Sequence, residues 1–231
     1  METLINLYRE EMHDIKKDLA CWVFFLPKIL YISLPTVNSK YNVLINTILN
    51  DIIPQTKISI SKGNKIFGAA ILNKSDYSLV CVGTNNEIEN PLWHGEISAL
   101  KNFYEIPLNK RPNTRDSVFL STHEPCSLCL SAITWTGFDN FYYFFPYNDT
   151  KDKFNIPHDL NILKDVFKIN NGNYNKENSY WTSYSIIENI NLINETERIH
   201  LNKKIKKIFE IYNDLSGLYQ KFKSNNNIPL N

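Results

Sequence analysis

Thr122-His123-Glu124-Pro125-Cys126-Ser127-Leu128-Cys129 is the stretch on which the reading of this chain turns. It holds a Pro-Cys-x-x-Cys run, and upstream of it stands His94-Gly95-Glu96. Together they offer two thiols, an imidazole and a spare carboxylate. Zinc takes sulfur and nitrogen ligands in a tetrahedron, and a catalytic zinc keeps its fourth position for water. His94, Cys126 and Cys129 are the three expected ligands, and zinc is the expected cofactor. Glu96, two residues from His94, is placed to reach a water on that metal without ligating it, which suits a proton shuttle. Zinc lowers the pKa of its water from about 15.7 to about 7, so hydroxide is at hand near neutral pH.

The spacing suits helix starts. Pro125 fits the first helical position, where its missing N–H costs nothing. Cys126 and Cys129 are three apart, so a helix sets both on one face. The first turn of a helix favours thiolate over thiol through its free N–H groups and dipole. Pro91 is placed to open a second helix through Ile97, Leu100 and Phe103. A lone Cys-x-x-Cys pair also serves as a redox couple or as half of a structural zinc site. A structural site needs four protein ligands, and Cys21 and Cys81 do not form a second pair. A redox couple calls for neither the proline nor the His-x-Glu. His123 is a further nitrogen donor nearby and reads as a loop residue at a strand end.

A length of 231 suggests one domain with extensions. Hydrophobic residues at 43% are enough for a substantial core. A net charge of +1 gives no global pull toward nucleic acid. With two of its four cysteines assigned to metal, the chain reads as a protein of the reducing cytoplasm rather than a disulfide framework. Glu2, Glu10 and Glu11 stand where a signal peptide would carry basic residues, so no signal peptide is expected. The apolar run over residues 19–34 is short and broken by Pro27 and Lys28, so no membrane span is expected.

Leu4, Tyr8, Met12, Ile15, Leu19 and Trp22 recur at helical spacing. A second helix fits residues 41–53, with Pro54 after it. Residues 66–72 and 77–82 read as a hairpin around Asn73-Lys74-Ser75-Asp76. A short strand over 118–121 runs directly into the cysteine helix, which spans 126–135 and ends at Gly137. Residues 140–145 form an aromatic strand. The strand–helix–strand order predicts parallel pairing with right-handed crossovers. The expected fold is therefore α/β, a three-layer α/β/α sandwich around a mixed central sheet with both metal-bearing helices on one face. Residues 148–157 read as a loop and 158–167 as a short helix, while 180–193 fits neither period. Ile205, Ile208, Tyr212, Leu215, Tyr219 and Phe222 predict an amphipathic C-terminal helix. Lys203, Lys204, Lys206 and Lys207 at its start read as a solvated face diluted by Glu210 and Asp214, in preference to an RNA contact. The expected organisation is an N-terminal helical extension over 1–38, a zinc-dependent domain over 39–168 and a C-terminal extension over 169–231.

His-x-Glu followed by Pro-Cys-x-x-Cys is the signature of zinc-dependent base deaminases. Residues 63–147 resemble the cytidine deaminase-like superfamily, and within it the nucleobase branch. Gly63-Asn64-Lys65-Ile66-Phe67-Gly68-Ala69-Ala70-Ile71 looks like the first-strand lead-in of bacterial guanine deaminases. The stretch from Glu124 through Cys126 and Cys129 to Trp135 is also closer to that family. His94-Gly95-Glu96-Ile97-Ser98 is similar to fungal-type cytosine deaminases. Thr84-Asn85-Asn86 looks like the loop whose asparagine contacts the base, in a register of Asn85 or Asn86. The resemblance implies zinc ligation by His94, Cys126 and Cys129, with Glu96 as shuttle. It also implies substrate contacts from Asn85 and from the backbone N–H groups of Gly95 and Cys126, with Pro125 beside them. Trp93 stands where a smaller residue is usual, and is expected to narrow the pocket or stack on the base. Guanine deaminases read the base with C-terminal residues, for which Asp152 and Asp159 are the candidates. The implied activity is hydrolytic deamination of a free nucleobase or nucleoside, of guanine or cytosine type, in a cytoplasmic homodimer serving purine or pyrimidine salvage. Two other readings stand beside it: an adenosine deaminase acting on tRNA, and a non-catalytic scaffold.

Overall fold

The structure, a computed structural model, describes residues 40–231. Its frame is a five-stranded sheet. Strands β1 (Gly68–Asn73) and β2 (Leu79–Thr84) form the expected antiparallel hairpin. Strand β3 (Ser117–His123) pairs antiparallel with β1. Strands β4 (Asn140–Phe145) and β5 (Thr182–Ser185) follow, each parallel to the strand before it. The order is β2-β1-β3-β4-β5, a mixed sheet.

Alternation along the strands divides the apolar residues between two cores. Ala69 and Ile71 of β1, Phe119 of β3 and Phe141 of β4 face one side. There they meet Ala99, Leu100 and Phe103 of helix α3 (Gly95–Glu105) and Leu130 and Ile133 of helix α4 (Ser127–Trp135). Ala70, Leu72, Val118, Leu120 and Phe144 face the other side. That side is covered by helices α1 (Lys40–Thr47) and α2 (Ile53–Ser61), joined through a π turn at Ile48–Ile52, and by the long helix α8 (Glu195–Phe222). This is the expected α/β/α sandwich, with both helices that carry the motifs on one face. The residues of β3 are buried throughout, as befits a central strand.

Three features depart from the sequence reading. The first helical stretch does not stop before Pro54 but continues to Ser61. The π turn ahead of Pro54 loosens the backbone where proline removes an N–H and crowds the preceding turn. Residues 148–157 are not all loop, since helix α5 spans Tyr147–Asp152, ahead of helix α6 (His158–Asp165). Residues 180–193 fit neither period because the four residues of β5 run straight into the short helix α7 (Ile186–Ile190). Since β5 belongs to the same sheet, that sheet runs on past residue 168 into the stretch expected as an extension.

Helix α8 begins at Asn194, whose side-chain carbonyl accepts from the Glu197 N–H at 3.0 Å. Within its lysine cluster, Lys204 donates to Asn42 and Asn46 at 2.6 and 2.8 Å and so ties α8 to α1. The helix expected over residues 4–22, and the extension over 1–38, lie outside the described residues. Among the described residues no helix is long and apolar enough to cross a membrane.

Candidate metal centre and its cavity

His94 and Cys126 both occupy the N-cap position of a helix, α3 and α4 respectively. Both are extended, with ψ of 165° and 172°. The helices therefore begin at Gly95 and Ser127, after the prolines expected to open them. Pro91 lies instead in a loop held by Asn86 N–H to Trp93 C=O and Trp93 N–H to Asn90 C=O, both 2.8 Å. Cys129 sits in the first turn of α4, and Glu96 in the first turn of α3.

Two glycines let these helix starts press on the sheet. A Cβ at Gly95 would stand 2.8 Å from the Gly68 Cα, and one at Gly83 would stand 2.1 Å from the Ala99 nitrogen. Backbone thus meets backbone where α3 crosses β1 and β2, and this close approach brings His94 to the end of α4.

His94 Nδ1 lies 3.4 Å from Cys126 Sγ and 3.7 Å from Cys129 Sγ. The three ligand atoms fall within 4.8 Å of one another. A tetrahedral zinc with bonds of about 2.3 Å to sulfur and about 2.0 Å to nitrogen needs sulfur–nitrogen separations of roughly 3.6 Å. The donor set therefore fits zinc in both chemistry and spacing. Among the described residues it is the one cluster of this kind.

The protonation pattern without metal follows from burial and proximity. Cys126 is held well below the ordinary thiol range by the hydrogen bond from Cys129, with His94 beside it working in the same direction. Burial pushes the Cys129 thiol up, and the neighbouring Cys126 charge adds to this. Burial opposes charge on His94, but the Cys126 thiolate with Glu87 and Glu96 outweighs it and raises the imidazole to about 9. The Glu96 carboxyl is buried and pushed up, first by burial and then by Cys126. The Ser121 hydroxyl donates to Glu96 Oε1 at 2.7 Å and opposes that rise. The Cys129 thiol donates to Glu96 Oε2 at 3.3 Å.

His123 is no part of this cluster. Its ring lies among Phe67, Phe145, Phe154 and Tyr212, with centroids 4.7–5.4 Å away. Burial lowers its pKa to about 3.

A cavity of about 260 Å³ opens beside His94 and Cys126. Phe67, Leu92, Ile156, Ile162, Ile228 and Leu230 give it apolar walls. Lys65, Glu87, His158 and Asp159 are polar groups in its lining. The Asp159 carboxyl is pushed well above the usual range, first by burial and then by the Cys126 charge. Asp152, the other candidate, is exposed and pairs with Lys151 at 3.5 Å.

Four expected substrate contacts are placed differently. Asn85 Oδ1 accepts from the Gly95 N–H at 2.6 Å, and Asn85 Nδ2 donates to Glu87 Oε2 at 2.6 Å. Asn85 and Gly95 thus bond each other rather than face the cavity, because the Gly95 N–H is a free donor at a helix start. Asn86 is turned toward Glu89, to which its amide donates at 2.6 Å. Trp93 lines a separate cavity of about 380 Å³ together with Lys101 and Asn102. Adjacent residues in extended backbone point to opposite sides, so His94 takes the metal side and Trp93 the other. Pro125 is buried behind Cys126, its carbonyl accepting from the Tyr147 hydroxyl at 2.5 Å. Cys126, Ser127 and Leu128 line the cavity in its place.

The sequence reading passed over Lys65 and Glu87. Lys65 stands in an otherwise buried stretch and Glu87 in a polar loop, and no short-range spacing joins them.

Residues 51–145 match the family model described as the cytidine and deoxycytidylate deaminase zinc-binding region. The tRNA-specific adenosine deaminase of Rickettsia bellii is 29% identical over 97 residues, 41% of this chain and 66% of that protein. The cytosine deaminase of Candida albicans is 34% identical over 88 residues, 37% of this chain and 56% of that protein. The matched segment thus spans less than two thirds of either relative. Among solved structures, a guanine deaminase from Nitrosomonas europaea aligns over 80% of this chain and 85% of its own, at 14% identity and a TM-score of 0.47. One from Bacillus subtilis aligns over 58% and 85%, at 20% identity and a TM-score of 0.44. Residues 51–145 of this chain are therefore similar to the cytidine and deoxycytidylate deaminase zinc-binding region.

Proposed function

We propose that this protein is a zinc-dependent hydrolase that deaminates a small nucleobase or nucleoside, of guanine or cytosine type. The observation that carries this is the convergence of His94, Cys126, Cys129 and the Glu96 carboxyl, with His94 and Cys126 of that group lining a cavity of about 260 Å³. That volume falls below the roughly 300–1,000 Å³ of drug-sized pockets and suits a single base. Its mostly apolar walls suit the faces of a flat ring. Asp159, in the lining, is placed to read a polar edge of that ring.

His94, Cys126 and Cys129 are the residues that would hold zinc, which when bound supplies a Lewis acid able to ionise a water near neutral pH. Glu96 would take the proton from the attacking water and pass it to the ring nitrogen, and then serve the departing amino group. Water and an amino-bearing base give an oxo base and ammonia, so the atoms balance. In the metal-free site burial raises the Glu96 pKa. The Ser121 bond fixes one oxygen and leaves the other turned toward the Cys129 sulfur.

The reading that the substrate is an RNA adenosine draws on the Rickettsia relative. The net charge of +1 and the engagement of Lys204 with α1 give it little support. The test is ammonia release by zinc-loaded protein with guanine, cytosine, cytidine, deoxycytidine, adenosine and bulk tRNA. Turnover of a free base or nucleoside, lost in Glu96→Ala with zinc retained, supports the proposal. Turnover of tRNA alone, or substantial release by Glu96→Ala, overturns it.

A further inference from the structure

Glu87 stands in the loop between β2 and α3, almost wholly buried, with each carboxylate oxygen engaged. Oε1 accepts from Lys65 Nζ at 2.7 Å, and Oε2 accepts from Asn85 Nδ2 at 2.6 Å. Asn85 in turn accepts the Gly95 N–H, the first free donor of α3. Oε1 also lies 3.7 Å from His94 Nε2. One carboxylate is therefore tied both to the helix start that carries His94 and to the far edge of its ring.

The chemistry of ligation makes that edge matter. His94 turns Nδ1 toward the two sulfurs. An imidazole that ligates through Nδ1 must carry its proton on Nε2. An anion beside Nε2 favours that tautomer, fixes the ring plane and makes Nδ1 a stronger donor. The only other polar group that meets this carboxylate at ion-pair distance among the described residues is Lys65, itself buried. Burying such a pair is costly, and replacing one by apolar residues is often neutral or stabilising, so its presence beside a metal ligand asks for a purpose beyond stability.

We infer that Glu87 is the positioning residue of the metal centre, holding the His94 ring through Nε2, with Lys65 and Asn85 holding Glu87 in turn. This rests on the proposed ligand set. The two are separable, because Glu87 touches neither sulfur.

The test uses the full chain with Lys65→Met and Glu87→Gln combined. The pair keeps its shape, leaves no buried charge, and offers one amide oxygen where the carboxylate served both Asn85 and His94. Zinc affinity is measured by chelator competition, and stability of the metal-free protein by urea unfolding. The expected result is a wild-type unfolding midpoint with zinc bound about 10- to 100-fold more weakly. Unchanged zinc affinity in the folded double variant overturns the inference while leaving the ligand set standing. Wild-type protein that takes up no zinc overturns both. A second measurement needs no variant: the ¹⁵N spectrum of the zinc-loaded wild type should show His94 ligated at Nδ1 and protonated at Nε2. Ligation through Nε2 overturns the inference directly.

Discussion

Gly95→Ala tests whether the metal centre depends on the backbone contact between α3 and β1. The added methyl would stand 2.8 Å from Gly68 Cα and 2.9 Å from Gly68 N, against ordinary contact from 3.4 Å upward. The obstacle is backbone of a buried strand, so the helix start must yield by about 0.6 Å. Alanine is otherwise favourable here, gaining up to about 1 kcal/mol over glycine in a helix. Overpacking costs about 1–3 kcal/mol, so the net expectation is a loss of about 1–2 kcal/mol. The N–H that Asn85 accepts is retained, so the hydrogen bond does not confound the result. His94 and Glu96 flank the substituted residue and move with it. A 1 Å misplacement can cost a hundredfold in rate, so about 0.6 Å should lower kcat about tenfold. Urea unfolding of the metal-free protein reads the first effect, and steady-state ammonia release with the best substrate reads the second. An unchanged unfolding midpoint together with unchanged turnover would show that α3 does not bear on β1 at this point.

Other predictions follow from the same geometry. Cys129→Ala should lose zinc, since two donors remain of three; unaltered metal content by atomic absorption would mean the ligand set is wrong. At pH 7 the metal-free site holds a proton on His94, raised to about 9, and one on Cys129, pushed up by burial, while Cys126 is ionised. Ligands must be deprotonated to bind, so zinc uptake should release about two protons. Titration in buffers of different ionisation enthalpy measures this, and release near zero would contradict the assigned protonation. His123, lowered to about 3 by burial, stays neutral in the folded protein while the unfolded chain takes a proton below about 6.5. The unfolded state then binds more protons, so this residue's contribution makes stability fall as pH drops from about 6.5 toward about 3. His123→Leu should flatten that slope; equal slopes in acid unfolding series would show that His123 is not neutral in the fold.

Most of the metal centre was legible because its chemistry is local. Cys126 and Cys129 share one turn, and His94 and Glu96 share another, so residue type and short spacing were sufficient. The sheet was legible because β1, β3 and β4 each carry a clear apolar run between turn residues. The helix starts were misread, by four residues at Pro91 and two at Pro125, since these prolines mimic a first helical position that Gly95 and Ser127 hold. The π turn before Pro54 and the four-residue β5 have no periodic signature strong enough to read.

The cavity was the least legible part, for a physical reason. Its lining comes from Lys65 and Phe67 ahead of β1, Glu87 and Leu92 in the loop before α3, Ile156 and Asp159 around the start of α6, and Ile228 and Leu230 beyond α8. No spacing rule links positions more than 160 residues apart. The family model matches only residues 51–145 and so says nothing of walls built by 156–230. The same division orders the chemistry. Residues 51–145 hold the candidate zinc ligands and Glu96, while the segment outside them supplies Asp159 and, with Ile156, Ile162, Ile228 and Leu230, part of the apolar wall of the cavity beside His94 and Cys126. If the reaction is deamination, we propose that the choice of base depends in part on residues beyond the family model's match. Exchanging Ile228 and Leu230 for alanine should change which base is turned over before it changes the zinc content. A variant that kept both its zinc and its ranking of bases would place selectivity back within residues 51–145.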